Sequence, residues 1–204
     1  MNLIQSVTSN IESNSSLIIN KLSEESVATY AFLMDQYKQG DVLENHLFRF
    51  VFKNFFRMEG IGLIPEIKTA IFEILSKYQN DPSKIFDPKE DLRILYSIHN
   101  KIQFSFLTKI YSIRDDSYPI YDSKVAKVFK LVRPTSRCFE DKRDKYINLY
   151  NSLLNQYEEI LESKLLPYTL QEFDNQFGKY KVSDIKKIDF IMWTYGKVGA
   201  EKQL

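Results

Sequence analysis

The sequence has few of the residues that build disulfides and metal sites. Among 204 residues there is one cysteine, Cys138, and there are two histidines, His46 and His99. A single cysteine excludes a disulfide within the chain, and the three residues are too far apart in sequence to form a zinc motif. We therefore expect a reducing compartment, no metal and no cofactor.

Long apolar runs and an excess of one charge are also missing. The first 16 residues lack the basic and apolar stretches of a secretory signal, and no later segment stays apolar for about 20 residues. The sequence predicts a cytoplasmic monomer without a membrane partner. Because the formal net charge is only +1, binding to nucleic acid would depend on where the charges lie.

Glycine is scarce, with 6 residues, and strand-like alternation is rare. Apolar residues instead recur at spacings of three and four, which is typical of amphipathic helices. The pattern predicts an all-α fold with helices over about 17–38, 42–58, 65–78, 91–98, 102–113, 123–131, 141–164, 170–177 and 183–195. The second helix is apolar on nearly all sides, which predicts a central position, and Gly196 is expected to end the last.

One segment concentrates positive charge. Between Ser123 and Phe139 there is no acidic residue, and the basic residues are Lys124, Lys127, Lys130, Arg133 and Arg137. Such a run is either a solvated helix face or a surface for phosphates. Composition alone leaves both interpretations open.

The most informative segment is 104–129, FSFLTKIYSIRDDSYPIYDSKVAKVF. Its PIYD sequence, with an aspartate before a helix, resembles the helix-hairpin-helix DNA glycosylase superfamily. Thr108-Lys109 and the final IDFIMWTYGK resemble the small bacterial proteins similar to 8-oxoguanine glycosylase. The resemblance implies one compact, two-lobed helical domain over 1–204, with lobes formed by 1–98 plus the C-terminal helices and by 99–165.

The resemblance implies excision of a damaged or modified base from double-stranded DNA, either in repair or in defence against phages with modified cytosines. Asp122 is the predicted catalytic carboxylate. Cleavage of an N-glycosidic bond passes through a cation-like sugar, which a fixed carboxylate stabilises. An ordinary helix cap has the same local sequence, so this alternative remains.

Two lysines are candidate nucleophiles, because an amine can form a Schiff base with the sugar. Lys109 is the first; it stands about one helical turn after Ser105, which holds the position of the family lysine. Lys101 is the second. Either lysine is alternatively a solvated side chain or a phosphate contact.

The hairpin of the family carries glycines, whereas the corresponding segment, 101–103, has none, so a degenerate hairpin is expected. The resemblance makes Lys124, Lys127, Lys130 and Arg133 the predicted DNA contacts. Candidates for a pocket that holds a flipped base, all of which also suit a core position, are Phe55, Phe56, Tyr121, Asp189 and Trp193.

Two other functions fit the sequence. The missing hairpin glycines and the displaced lysine suit a catalytically silent DNA-binding module. The near-neutral charge suits a helical protein-interaction module. Salt-dependent DNA binding and the formation of abasic sites would separate the three functions.

Overall fold

The computed structural model describes residues 2–59 and 62–201. These residues contain no strand and form one 3-10 turn and eleven α-helices, which confirms the all-α prediction. The helices are α1 (Leu3–Ser13), α2 (Ser15–Lys21), α3 (Glu24–Gln39), α4 (His46–Phe55), α5 (Pro65–Asn80), α6 (Pro88–His99), α7 (Phe104–Arg114), α8 (Ser123–Val128), α9 (Phe139–Glu162), α10 (Pro167–Phe177) and α11 (Asp184–Glu201).

Residues with clear capping chemistry set several helix starts. Asn2 and Gln5 form a capping box at α1, and the side chain of Asp87 accepts the backbone N–H of Glu90 at α6. Three helices begin with a proline, whose missing N–H costs nothing in a first turn: α5, α6 and α10.

Two features of the helices differ from the predictions. The helix expected over 17–38 is interrupted between α2 and α3, at Leu22 and Ser23. The expectation that α4 lies centrally is wrong: Phe48 and Phe52 are buried, whereas Leu47 and Phe50 are 57% and 62% exposed. Only one face of α4 is therefore buried, although apolar residues also stand on its exposed face.

The expectation that Gly196 ends the last helix is also wrong. Gly196 lies inside α11, which continues to Glu201. A Cβ atom at this position would stand 2.7 Å from the carbonyl oxygen of Lys124 in α8. Glycine is therefore required here for the close approach of two helices rather than for a stop signal.

The short helix α8 is held between a link and α11. The link, 115–122, follows α7 and bonds to Ser183, just before α11, and to Asp189 within α11: Asp116 accepts from Ser183, and Ile120 donates its N–H to Asp189. The hydroxyl of Tyr150 in α9 donates to the carbonyl of Pro119 at 2.7 Å. These contacts fix the backbone that leads into Asp122.

The segment predicted as a degenerate hairpin is a short turn between α6 and α7. Asn100 begins it in the left-handed conformation, with φ 52°, and donates its N–H to the carbonyl of Tyr96. Asparagine tolerates this conformation better than most residues, which compensates for the lack of glycine. The assignment to the glycosylase superfamily and the two lobes remain predictions.

None of the helices in the described part of the chain has both the length and the apolar character needed to cross a bilayer.

Candidate functional site

A pocket of about 320 Å³ lies where α4, α7, α8 and α11 meet, and we call it the Asp122 pocket. The residues predicted from sequence that line it are Phe55, Phe56, Lys109, Asp122, Lys124, Asp189 and Trp193. They come from segments more than a hundred residues apart in the chain. The fold thus brings together the carboxylate, an amine and most of the rings that the sequence singled out.

Asp122 is the N-cap of α8 and is half-buried. Its Oδ1 atom accepts the backbone N–H groups of Lys124 at 2.7 Å and Val125 at 2.9 Å. Oδ2 makes no hydrogen bond to the described residues. One oxygen therefore caps the helix, while the other has no partner among the described residues, and Asp122 lines the pocket.

Lys109 extends from α7 over aromatic rings. Its Nζ atom lies 4.2 Å from the ring centre of Phe106 and 5.6 Å from that of Phe56. Burial lowers the pKa of Lys109 to about 8, against the opposing attraction of Asp122. A large fraction of the amine is therefore neutral in mildly alkaline solution, which is the form that attacks carbon.

A buried ion pair forms the floor of the pocket. Nζ of Lys186 donates to Oδ2 of Asp189 at 2.7 Å, and this ammonium lies 4.0 Å from the ring centre of Tyr30. Oδ1 of Asp189 accepts from the N–H of Ile120 at 3.3 Å and the hydroxyl of Tyr157 at 3.2 Å. Burial lowers the pKa of Lys186 and raises that of Asp189. Asp189 therefore anchors the link before Asp122.

Aromatic and basic side chains form the wall and rim. Phe55 and Phe56 meet edge to face, with ring centres 4.9 Å apart, and Trp193 lies on α11. Arg57 also lines the pocket and is exposed. Its φ of 54° is in the left-handed region, which is uncommon for a residue with a side chain. Arg57 and Lys124 place positive charge at the pocket.

The sequence predictions did not include Arg57 or Lys186. Nothing in the local sequence distinguishes Arg57 from other arginines after a helix. For Lys186 a signal existed, because a lysine three residues before an aspartate on an apolar helix is a common ion-pair spacing. That spacing indicated a pair but not its burial.

Tyr121 is not part of the pocket. Its ring is buried against Phe104 and Tyr146, at centre-to-centre distances of 5.5 and 6.1 Å. The prediction that it holds a base is therefore corrected: it belongs to the aromatic core beneath the link. Successive side chains of the link lie on opposite sides of it, so Asp122 lines the pocket whereas Tyr121 is buried in the core.

Four of the predicted basic residues also lie away from this pocket. Lys127 and Lys130 are exposed, on α8 and just after it. Lys101 and Arg133 line a different cavity of about 480 Å³, between the turn after α6 and the loop before α9. We call it the basic pocket; its basic residues are Lys101, Arg133, Arg137 and Lys142, with His99 beside them. The structure thus separates Lys101 from Asp122.

Among the described residues, no three side chains of the histidine, cysteine, aspartate or glutamate type are grouped so as to hold a metal ion. The chain matches no model of a known protein family, no curated protein and no solved structure. Assignments of activity therefore depend on the chemistry of the pocket and on the sequence resemblance.

Proposed function

We propose that the protein is a DNA glycosylase that flips a damaged or modified base into the Asp122 pocket and cleaves its N-glycosidic bond. The observation that carries the proposal is the presence of Asp122 and the low-pKa amine of Lys109 in one aromatic-walled pocket. The sequence predicts both groups for this chemistry, and both line the same pocket.

The carboxylate of Asp122 suits the charge that develops on the sugar. As the bond between C1′ and the base nitrogen lengthens, positive charge grows on the sugar, and a fixed anion lowers the energy of that state. The backbone N–H groups of Lys124 and Val125 hold the carboxylate in place. Because it is already oriented, little reorganisation accompanies the reaction.

Lys109 supplies the nucleophile in the proposed lyase route. The neutral Nζ atom forms a bond to C1′, the base leaves with the electron pair of the glycosidic bond and takes up a proton, and the attached nitrogen gives up a proton. The C1′–O4′ bond then breaks with its electron pair going to O4′, which is protonated, while the nitrogen lone pair forms the C=N bond of a Schiff base. Without this step, water takes the place of the amine and leaves an abasic site. Either route releases one free base for each event.

The remaining residues of the pocket bind and orient the nucleotide. Rings at Phe55, Phe56 and Trp193 offer apolar surface for a flipped base. Arg57 and Lys124, which also line the pocket, would contact the phosphates beside the flipped nucleotide and make DNA binding salt-dependent. We propose that the protein acts in the cytoplasm as a monomer on double-stranded DNA, in repair or in defence against phages with modified cytosines.

The test is incubation of the protein with genomic DNAs that differ only in base modification, followed by an assay for abasic sites and free bases. We expect release of one base type from one DNA, and none from the unmodified DNA. DNA binding without release from any of them would contradict the proposal and favour the silent binding module. Absence of salt-dependent binding as well would favour the protein-interaction module.

A further inference from the structure

The hydroxyl of Thr108 makes a contact that the proposed chemistry does not use. Thr108 lies in α7 directly before Lys109 and is only 1% exposed. Its Oγ1 atom accepts the backbone N–H of Tyr121 at 3.1 Å. Tyr121 is the residue directly before Asp122 in the link. One hydrogen bond thus joins the immediate neighbours of the two residues that the proposed reaction needs.

This contact distinguishes Thr108 from the other buried threonines of the described residues, which are Thr8, Thr169 and Thr194. The hydroxyl of Thr8 donates only to carbonyl groups of its own helix. The hydroxyls of Thr169 and Thr194 have no partner among the described residues. Thr108 also donates to a carbonyl one turn earlier in α7, at 3.1 Å, which is the ordinary contact of a helical threonine. The bond from Tyr121 is therefore additional and links two separate segments.

The backbone groups next to Tyr121 in the link are held in a similar way. The N–H of Ile120 donates to Asp189 of α11 at 3.3 Å. The carbonyl of Pro119 accepts from the hydroxyl of Tyr150 of α9 at 2.7 Å. Three successive residues of the link are thus each bonded to a side chain from a different helix. Of these three bonds, only the one to Tyr121 comes directly from α7, the helix of the candidate nucleophile.

Loss of this bond is costly for the fold in its present position. The N–H of Tyr121 is buried, and a buried N–H without a partner loses the hydrogen bond that water gives it in the unfolded chain. The ring of Tyr121 packs against Phe104 and Tyr146, which occupies the space beneath the link. A displacement of the link that breaks the bond is therefore opposed, and the link is restrained relative to α7.

From these contacts we infer that Thr108 is a positioning residue whose hydroxyl sets the separation between Lys109 and Asp122. The amine and the carboxylate must both reach C1′ of one sugar, and misplacement by about 1 Å can lower a rate about a hundredfold. The two residues lie on separate segments, so their separation depends on a contact between α7 and the link. The role in base excision rests on the proposed function, whereas the effect on the separation does not.

The separation has an electrostatic consequence that needs no substrate. Asp122 attracts the ammonium form of Lys109 and so opposes the effect of burial, which lowers the pKa of this amine to about 8. The rings near the amine, those of Phe56 and Phe106, do not belong to the link. A link that moves away from α7 therefore weakens the attraction while burial by these rings persists. The pKa of Lys109 then falls further.

The test uses three variants of the full chain. Thr108→Val replaces the hydroxyl by a methyl group of similar size, and Thr108→Ser keeps the hydroxyl. The matched control is Thr8→Val, in which a buried helical threonine loses a hydroxyl that bonds only within α1. Circular dichroism and thermal denaturation check that each variant is folded at the temperature of the measurements.

The first arm of the test needs no substrate. Hydrogen exchange followed by NMR measures the protection of the N–H of Tyr121. NMR of isotope-labelled lysine measures the pKa of Lys109, whose signal is the one missing in Lys109→Gln. In Thr108→Val we expect exchange at Tyr121 to accelerate at least about tenfold. We also expect the pKa of Lys109 to fall by at least about 0.3, a change of about twofold in the ratio of neutral to charged amine. Thr108→Ser and Thr8→Val are expected to match the parent.

The second arm measures single-turnover base release and DNA affinity, on a DNA from which the parent releases a base. We expect Thr108→Val to lower the rate of release at least about tenfold while the affinity stays within about twofold, because Thr108 does not line the pocket. Thr108→Ser is expected to restore the rate. A change of rate without a change of affinity is the result of misplaced reacting groups rather than of weaker binding.

Faster exchange and a lower pKa of Lys109 in Thr108→Val, with neither in Thr108→Ser, support the inference. They do so even for a parent that releases no base, a result that contradicts only the proposed function. Parental exchange and pKa in Thr108→Val overturn the inference. Equal acceleration of exchange in Thr108→Val and Thr8→Val overturns it as well, because general destabilisation then explains the change. Base release at the parental rate by Thr108→Val also overturns the positioning role.

Discussion

The Asp122 pocket and the basic pocket use the same residue type in opposite ways. In the Asp122 pocket lysines are removed from water: Lys186 is buried against Asp189, and burial lowers the pKa of Lys109 to about 8. In the basic pocket Lys101 is exposed and without a partner among the described residues. Burial favours the neutral form of an amine, whereas an exposed lysine stays accessible from the solvent. The environment, rather than the residue type, makes the two pockets different.

Exchanging lysine for glutamine in each pocket tests this contrast and has the largest expected effect. If the amine of Lys109 forms the Schiff base, borohydride reduction will trap a covalent adduct with substrate DNA, and Lys109→Gln will abolish it. Lys101→Gln will retain it, because Lys101 lies in the other pocket. Denaturing gel electrophoresis measures the amount of trapped adduct in both variants. An adduct that persists in Lys109→Gln and disappears in Lys101→Gln would reverse the assignment.

The same adduct provides a pH test. Only the neutral amine attacks, so the initial rate of trapping is expected to rise as pH increases through about 8, the pKa of Lys109, and then to level off. An ordinary lysine would give a rate that continues to rise toward about pH 10. A rate that is flat between about pH 6 and 9 would contradict the assignment.

Replacement of Asp122 by asparagine separates capping from catalysis. Asparagine Oδ1 can still accept the N–H groups of Lys124 and Val125, so the free energy of unfolding is expected to change by less than about 1 kcal/mol. The negative charge is lost, so single-turnover base release is expected to fall at least about 100-fold. Near-parental excision by a folded, DNA-binding Asp122→Asn would leave Asp122 as a cap only.

Removal of the charge on Asp189 is expected to destabilise the fold. Asp189→Asn leaves Lys186 buried without its anion, which lowers the free energy of unfolding by about 3 kcal/mol at neutral pH. Burial already lowers the pKa of Lys186 in the folded state. The penalty is therefore full at low pH and shrinks as pH approaches the value of about 10.4 for an unfolded lysine.

Urea denaturation at several pH values measures this penalty. The matched control is Asp189→Asn/Lys186→Met, which removes both charges and is expected to recover much of the loss. A variant Asp189→Asn as stable as the parent at neutral pH would show that the pair does not hold the floor of the Asp122 pocket.

Two glycines of α11 give the smallest expected effect and a close control. In Gly196→Ala the new methyl group meets the carbonyl of Lys124, and relief of this contact is expected to cost about 1–3 kcal/mol of stability. A methyl group at Gly199 would have open space within 4 Å, so Gly199→Ala is expected to gain up to about 1 kcal/mol from helix propensity. Thermal denaturation compares the stabilities of the two variants. Equal stabilities would exclude close packing at Gly196.

Local signals were sufficient for much of the helical fold. Periodic apolar residues and Pro65 predicted α5, and the aspartate before a basic helix predicted the cap at Asp122. The sequence prediction was wrong where a contact with a distant part of the chain determines the role of a residue. Gly196 is typical of a helix end in sequence, but its role depends on the carbonyl of Lys124, far away in the chain.

For the same reason, only part of the candidate site could be predicted from the sequence. Asp122 and Lys109 belong to one short segment, so the motif contained them both. Arg57 and Lys186 enter the pocket from distant parts of the chain, and no local pattern reports which face of the fold they reach. Lys101 was the second candidate nucleophile from the sequence, but it follows α6 in a turn that lines another cavity.

The exposed Cys138 has a practical consequence for spectroscopy. It is the only cysteine in the sequence, it is accessible, and its chain neighbours Arg137 and Phe139 both line the basic pocket. A maleimide fluorophore attached to Cys138 would place a single label beside the basic pocket and none beside the Asp122 pocket. Its emission would report on molecules that enter the basic pocket during a titration, with no dye beside Asp122.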